Sequence, residues 1–247
     1  MEVSYYEGAH AIKIGTKHSW TDWHLIPTSK PVISPPQVKT KTVDIPGANG
    51  VLDLTSILTG FPFYSNRTGS LEFLLAPGYM SWENTKSEIM NYLQGYTKEL
   101  YLVDDPGFYY TGRFWVNDLK SDQKTNTITI NYDLYPFKRA VLTSDQDYLW
   151  DDFNFEVGEY HDYSDLEVDG TLEIVIDDCL EQDYPTITVS ANMTMTHSYT
   201  RNGTAVTNTY SLTEGANTPG FRLIPGTNTL TFTGDGTVTV SYRRGIL

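Results

Sequence analysis

Cysteine is almost absent from this chain of 247 residues, since Cys179 is the only one. A single cysteine cannot form a disulfide within the chain, so the folded state must depend on its core. The N-terminus reads MEVSYYEGAH and has neither a basic leader nor an apolar stretch, so we expect a protein made in a reducing cytoplasm. No apolar run approaches the length of about 18 residues that a membrane-spanning helix needs, so no membrane span is predicted.

Basic residues are scarce in the second half of the chain. Residues 1–144 hold 13 Lys or Arg and 14 Asp or Glu, whereas residues 145–247 hold 4 and 17. Residues 145–183 alone contain 15 acidic residues and no Lys or Arg. Contacts with phosphate depend on Lys and Arg, so specific nucleic-acid binding is not predicted. Two interpretations stay open: a solvated acidic face that keeps the protein soluble, or an acidic wall that repels DNA in a channel or meets a basic partner.

Motifs for catalysis are lacking as well. The sequence has no Ser-centred elbow and no Gly-rich phosphate loop. Asp104 and Asp105 begin a turn, and Asp151 and Asp152 would point to opposite faces of a strand, so neither pair is suited to general acid–base catalysis. Cys179 follows two aspartates, which raise the pKa of its thiol if they act at all. We therefore predict a protein that is not an enzyme and needs no cofactor.

Two groups of residues resemble parts of metal sites. His18, Asp22 and His24 lie close together, but a fourth ligand is missing and their spacing matches no zinc motif. The second group resembles the start of a calcium-binding loop, because Asp145, Asp147 and Glu156 stand at ligand positions. However, Leu149 replaces a ligand and Trp150 replaces the glycine that the turn of such a loop needs. No metal site is predicted from either group.

Strand-forming sequence dominates the chain. Hydrophobic residues make up 39% of it and aromatic residues 13%, and its 18 tyrosines suit β surfaces and interfaces. Stretches bounded by Pro and Gly predict strands over Val3–Ile14, Leu25–Ile33, Lys39–Ile45 and Leu71–Leu75. The length accommodates one large β domain or two smaller ones, and two is the expectation.

One helix is predicted, over Trp82–Gln94. Ser81 is a suitable N-cap residue, and Gly95 stands where a helix commonly ends. Residues at helical spacing place one face toward a core: Trp82, Thr85, Ile89 and Leu93.

Two hairpins are predicted after the helix. Leu100–Val103 leads into the turn Asp-Asp-Pro-Gly, and Phe108–Val116 returns as an aromatic strand. Phe114–Leu119 and Thr127–Leu134 form the second pair, and Tyr135–Lys138 marks the end of the first domain.

The second half has short, Thr-rich strands separated by Asn-Gly, Pro-Gly and Gly-Asp-Gly turns. Six strands are predicted, at Thr171–Ile176, Thr186–Met195, Ala205–Leu212, Gly220–Leu223, Gly226–Thr233 and Gly236–Arg243. The last two are expected to form a hairpin, and the regular spacing of all six is typical of a sandwich or a jelly roll.

The order of several motifs carries more information than any one of them. WTDWHLIP, PPQVKTKTVDIPGANGVLDLTSILTG, YSNR, NYLQG and DDPGFYYTGRF follow one another over residues 18–115. In this order and spacing they resemble the distal tail proteins of long-tailed siphophages. The ending YRRGIL resembles the C-terminus of the same family.

This resemblance implies a mainly β protein with a ring-forming belt domain over residues 1–144, which contains one α-helix, and a galectin-like β-sandwich over residues 145–247. It also implies a homohexameric ring in the virion tail tip that joins the tail tube to the tail-tip hub, or tail-associated lysin. The tape-measure protein is a further candidate partner, and DNA would pass through the central channel. The candidate residues for contacts between subunits or partners are Asp22, Pro35, Pro36, Pro46, Gly47, Gly50, Asp53, Asp104, Asp105, Pro106, Gly107 and Arg113.

Alternatives stay open for this interface and for the function. Gly47, Gly50 and Gly107 are equally consistent with turns inside one subunit. The competing function is a carbohydrate-binding β-sandwich module in which Trp150, Tyr160 or Tyr163 stacks on a sugar. An esterase or glycosidase ranks last, because no site for either is recognisable.

Overall fold

The computed structural model describes residues 8–57, 59–77, 81–121, 126–146, 163–181 and 183–247. Its elements, in chain order, are β1 (Ile12–Ile14), β2 (Lys17–His18), β3 (Leu25–Pro27), β4 (Thr42–Asp44), β5 (Val51–Asp53), β6 (Arg67–Leu75), α1 (Trp82–Leu93), β7 (Thr97–Leu102), β8 (Phe108–Ser121), β9 (Asn126–Leu134), β10 (Lys138–Ala140), β11 (Leu166–Cys179), β12 (Thr186–Val189), β13 (Met193–Arg201), β14 (Thr204–Leu212), β15 (Gly215–Asn217), β16 (Gly226–Ser241) and β17 (Gly245–Ile246). Among these residues, no helix is long and apolar enough to cross a membrane.

The chain divides into two compact units. The first comprises the described residues up to Val38 together with Tyr64–Lys138, and the second comprises Lys39–Phe63 and Arg139–Leu247. The hairpin β4–β5 therefore belongs with the second unit, although sequence of the first unit surrounds it. As separate functional domains, residues 1–144 and 145–247 stay a prediction.

The first unit contains an antiparallel sheet with strand order β2-β1-β7-β8-β9-β6-β3. Alternate residues of β9 are buried, at Ile128, Ile130, Tyr132 and Leu134, as the period of a half-buried strand requires. They join Phe73 and other side chains in one core. The Asp-Asp-Pro-Gly hairpin and the β8–β9 pair are confirmed, and a register shift between Val116 and Asp118 bends β8.

Helix α1 confirms the predicted helix to within one residue. Thr85, Ile89 and Leu93 are buried, so the predicted face does meet the core. Ser81 occupies the N-cap position, but its side chain makes no capping bond. Its carbonyl oxygen accepts instead from the backbone N–H and the hydroxyl of Thr85, at 3.0 and 3.2 Å. Gly95 follows the helix with φ +78°, a conformation that glycine adopts without strain.

Two predicted strands of the first half are too long. Within the described part of Val3–Ile14, only Ile12–Ile14 is a strand. Leu25–Ile33 is a strand only to Pro27, where pairing with β6 ends. Proline has no N–H to donate to a sheet, so Pro27 and Pro31 make a longer strand unfavourable here.

The second unit contains a sheet with strand order β14-β13-β16-β12-β15, in which β11 pairs with β16 as well. The β13–β14 hairpin turns at Asn202 and Gly203, whose φ angles of +49° and +74° fit the type I′ turn that Asn-Gly favours. The hydrophobic core of the second unit contains, among others, Val168, Ile187, Met195, Leu230, Phe232 and Val238.

The predicted terminal hairpin is wrong, because β16 is one continuous strand of 16 residues. Gly234 and Gly236 have φ angles of +145° and +138° and bend this strand without reversing it. The neighbouring strand breaks at the same level: β12 pairs with Val238–Ser241 and β13 with Asn228–Thr233. The predicted strand Thr186–Met195 is accordingly two strands.

Gly220–Leu223 is not a strand either, since only Leu223 makes an isolated bridge, to Asp183. The predicted fold class is confirmed in its main point: the described residues are mainly β with one helix and curled sheets. The galectin-like detail stays a prediction.

Candidate functional site

The hairpin β4–β5 stands out because nearly all of its side chains are exposed. All ten residues from Lys41 to Gly50 and all three of β5 are exposed. Leu54 N–H donates to Lys41 O at 2.7 Å and closes the pair at its open end. This segment carries four of the predicted contact residues: Pro46, Gly47, Gly50 and Asp53.

Glycine forms the tip of this hairpin. Gly47 and Gly50 have φ angles of +85° and +77°, and Ala48 N–H donates to Ile45 O at 3.1 Å. At the other end, the Asp53 carboxylate accepts from Thr55 N–H at 2.8 Å, and bonds from the Thr55 hydroxyl and N–H lower the pKa of Asp53. The predicted residues therefore shape the hairpin at its two ends.

Apolar side chains lie on both faces of the hairpin. Val43 is opposite Leu52, which puts these two on one face, and Asp44 is opposite Val51, which puts that valine on the other. Exposure is 40% for Val43, 47% for Leu52 and 62% for Val51. We define Val43, Ile45, Val51, Leu52 and Ile57 as the hairpin patch. The alternation of Lys39–Ile45 predicts a strand with one buried face, but neither face of the hairpin is buried, so the sequence did not indicate this patch.

The hairpin patch is anchored within the second unit at one end. Asn202, in the β13–β14 turn, donates from Nδ2 to Ile57 O at 3.1 Å. A Cβ atom at Gly60 would lie 2.8 Å from Asn202 Oδ1, so only glycine allows this close approach.

Pro35 and Pro36 lie in an extended segment of the first unit that forms no strand. Pro35 is exposed and Pro36 is half-buried. The preceding Ser34 is held firmly, because its carbonyl accepts from Arg67 Nη1 at 3.2 Å and its N–H donates to the Tyr132 hydroxyl at 3.2 Å. The two prolines thus follow directly after a residue that hydrogen bonds hold in place.

Asp22 closes a turn beside helix α1. Its Oδ2 accepts from His18 N–H at 2.8 Å, which is the main reason that the pKa of Asp22 is lowered. Lys17 Nζ lies 3.4 Å from Asp22 and 3.3 Å from Glu88. These contacts favour a structural role, and the part of the chain that the structure describes contains no cluster of three His, Cys, Asp or Glu suited to a metal ion.

The Asp104–Gly107 turn uses both of its carboxylates within the first unit. Asp104 Oδ2 lies 2.7 Å from His10 Nδ1, and Asp105 Oδ2 accepts from Lys138 Nζ at 2.6 Å. Lys138 also sits over the Phe108 ring, 4.6 Å from its centroid. Pro106 and Gly107 are exposed between these contacts, so the turn is fixed by its own subunit.

Arg113 is exposed on β8, opposite Thr97 on one side and Asp133 on the other. The structure thus places Asp22, the two prolines, the turn and Arg113 in the first unit and the hairpin residues in the second. Within the first unit these residues make separate local contacts.

The remaining candidates for chemistry have structural surroundings. Burial raises the pKa of the Cys179 thiol to about 12, and the Asp183 charge is the next cause. The sequence had suggested the two preceding aspartates as the cause. Asp145 Oδ1 accepts from the Ser241 hydroxyl at 2.7 Å, and the other calcium-loop positions lie outside the described residues, as do Trp150, Tyr160 and Asp151–Asp152. Tyr163 packs on the core and stacks on Tyr242 at 6.3 Å.

The fold of this chain is similar to that of a phage protein of known structure. No protein-family model and no curated protein sequence matches the chain. Among solved structures, the SPP1 Dit (gp 19.1) protein matches with a TM-score of 0.56 and 14% identity, over 96% of this chain and 99% of that chain. The chain is similar to a phage hub protein. SPP1 Dit is described as a paradigm of the hub adsorption apparatus in phages that infect Gram-positive bacteria. At 14% identity, the likeness to SPP1 Dit concerns the fold.

Proposed function

We propose that this chain is a structural protein of a siphophage tail, which forms a hexameric ring between the tail tube and the tail-tip hub. The observation that carries the proposal is the likeness to SPP1 Dit over 96% of this chain. A match of such extent includes both units. If the two proteins had only a β-sandwich domain in common, the match would cover one unit. The ordered motifs over residues 18–115 point to the same family independently of the fold.

The hairpin patch supports assembly with further copies of the chain. A two-stranded hairpin is at best marginally stable in water, and exposed apolar clusters of this kind mark contacts between proteins. Here neither face of β4–β5 is buried among the described residues. A closed ring uses two different surfaces of each subunit, so the hairpin patch would contact another part of the neighbouring copy.

The remaining parts of the proposal concern the channel and the partners. The acidic stretch 145–183 would keep DNA from adhering if it faced the channel, because like charges repel. The tail-tube protein, the tail-tip hub and the tape-measure protein are the proposed partners. The pairing of Asp104 and Asp105 within the subunit favours a role for that turn in fixing the fold.

The first test is the native mass of the purified chain, measured by light scattering at several protein and salt concentrations and followed by negative-stain imaging. We expect a hexamer with a central hole, formed alone or upon mixing with tail-tube or tail-tip proteins. A chain that stays monomeric alone and with both partners would overturn the proposal.

A matched pair of variants tests the hairpin patch. Val51→Lys puts a charge on a valine that is 62% exposed in the patch, and Val32→Lys does the same at one that is 72% exposed outside it. Both variants should fold, because both side chains face solvent. Only Val51→Lys should lose assembly. If both variants assemble like the original chain, the hairpin patch is not the ring contact.

A further inference from the structure

Strand β11 is a long strand with one open edge. It runs over 14 residues, from Leu166 to Cys179. Among the described residues it pairs only with β16, from Leu166 opposite Val238 to Cys179 opposite Gly226. Every second residue of such a strand turns its N–H and C=O to the far side, where they offer a template for another strand. At Val175 the carbonyl oxygen already accepts from the Tyr163 hydroxyl at 3.4 Å, so Val175 is excluded from the open part of the edge.

The face of β11 that points to solvent is acidic. All seven alternate residues from Asp165, just before the strand, to Asp177 are exposed. Thr171 and Val175 are two of them, and the other five are acidic: Asp165, Glu167, Asp169, Glu173 and Asp177. None of them forms an ion pair among the described residues. Strand β16 adds no positive charge opposite Glu167, Asp169 and Glu173, because the residues facing them are Thr237, Asp235 and Thr231.

The register puts two carboxylates side by side. Asp169 lies directly opposite Asp235, where like charges are unfavourable. Asp235 Oδ1 accepts from Gly170 N–H at 3.1 Å, which compensates only one of the two. Asp165, Glu167, Asp169 and Asp235 line one open depression at this end of the strand. A cation placed here would relieve their repulsion.

We propose that the open part of the β11 edge binds an extended segment of a partner protein that carries Lys or Arg at alternate positions. Backbone hydrogen bonds to the open edge would supply the pairing, and the carboxylates of the acidic face would select the sequence. A second copy of β11 is the wrong occupant, since two acidic faces would then lie side by side and repel. This inference does not depend on a ring or on a phage origin.

The probe is a labelled peptide of alternating lysine and threonine, as long as β11, whose binding to the full chain is followed by fluorescence anisotropy. We expect binding that weakens with added salt, and slower amide exchange confined to residues 166–179 and the adjoining β16. No binding at low salt, or protection that does not include residues 166–179, overturns the proposal.

Two N-methylated peptides separate strand pairing from simple charge attraction. One carries methyl groups on every lysine amide and the other on every threonine amide, so the charge is the same. In a paired strand only one of these sets faces β11, so one peptide should lose binding and the other should keep it. If both bind like the unmodified peptide, the attraction is only electrostatic and the proposal is wrong.

A matched pair of triple variants tests the carboxylates. Glu167→Gln, Asp169→Asn and Glu173→Gln together should weaken peptide binding by at least about tenfold. Glu72→Gln, Glu83→Gln and Glu99→Gln together remove the same charge from exposed positions of the first unit and should leave binding unchanged. Equal weakening by both triple variants would mean that net charge, not β11, controls binding.

Discussion

The side-chain amide of Asn228 holds His197 in a single tautomer. Asn228 Nδ2 donates to Ile224 O and Gly226 O, and its Oδ1 accepts from Ile224 N–H, so Oδ1 is also the acceptor for His197 Nε2 at 3.0 Å. Nε2 therefore carries the proton. Within the part of the chain that the structure describes, Nδ1 of this buried ring has no hydrogen-bond partner.

This arrangement predicts acid sensitivity of the second unit. Burial lowers the pKa of His197 in the folded chain, and the bond to Asn228 opposes this only in part. The unfolded chain, with an ordinary pKa of about 6.5, then binds the proton more readily. Stability from the neutral ring is present above that pH and is lost as the pH falls below it. Urea unfolding at several pH values between neutrality and mild acid should show this loss, and His197→Gln should reduce it. An unchanged pH dependence in the variant would contradict the assignment.

Gly112 is predicted to be irreplaceable in β8. A Cβ atom there would lie 2.2 Å from Asp133 O and 2.6 Å from Leu134 Cα, both of them backbone atoms of the adjacent strand. Gly112→Ala should lower the free energy of unfolding by about 1–3 kcal/mol. Gly107→Ala, in the same hairpin, has nothing within 4 Å of the new carbon and serves as the control in thermal melts. Equal melting temperatures for the two variants would refute the prediction.

The Asp105–Lys138 pair is predicted to stabilise a single subunit. Both side chains are mostly buried, at 31% and 17% exposure, so solvent screens the pair less than a surface pair. Asp105→Asn should lower the free energy of unfolding by about 1 kcal/mol, whereas exposed Asp44→Asn should change it by less than about 0.5 kcal/mol. Denaturant unfolding of the monomer measures both. Loss of assembly without any loss of stability would instead assign Asp105 to a contact between subunits.

The Cys179 thiol is predicted to be unreactive in the folded chain. With a pKa of about 12, only about one thiol in ten thousand is ionised at pH 8, and thiolate is the reactive form. Alkylation by iodoacetamide should be far slower in buffer than in urea, as followed by mass spectrometry. Similar rates in the two solutions would show that Cys179 is not buried and that the pKa of its thiol is not raised.

Sequence patterns predicted elements whose causes are local. Helix α1 follows from residue spacing and from Gly95, and the Asp-Asp-Pro-Gly turn from its own four residues. The Gly-Asp-Gly sequence misled, because its glycines bend β16 where a hairpin turn would have reversed it. A continuous β16 is distinguished from a hairpin only by its pairing with β13 and then with β12. Such pairing between distant segments cannot be predicted from a local sequence pattern.

The candidate site was harder to predict than the fold for a related reason. Asp105 and Lys138 are far apart in sequence, so nothing local indicated that the turn was anchored within its subunit. The hairpin patch was missed because its alternation resembles that of an ordinary half-buried strand. Whether a strand face is covered depends on tertiary packing, which residue periods do not report.

The continuity of β16 has a consequence for how the second unit forms. β11, β12 and β13 all pair with this one strand, which follows them in the sequence, so none of these ladders can close until the ribosome has made β16. Pairings of such long sequence separation form slowly. During synthesis the earlier strands must therefore wait with unpaired edges, and the acidic residues of β11 would keep nascent chains on neighbouring ribosomes from pairing with one another.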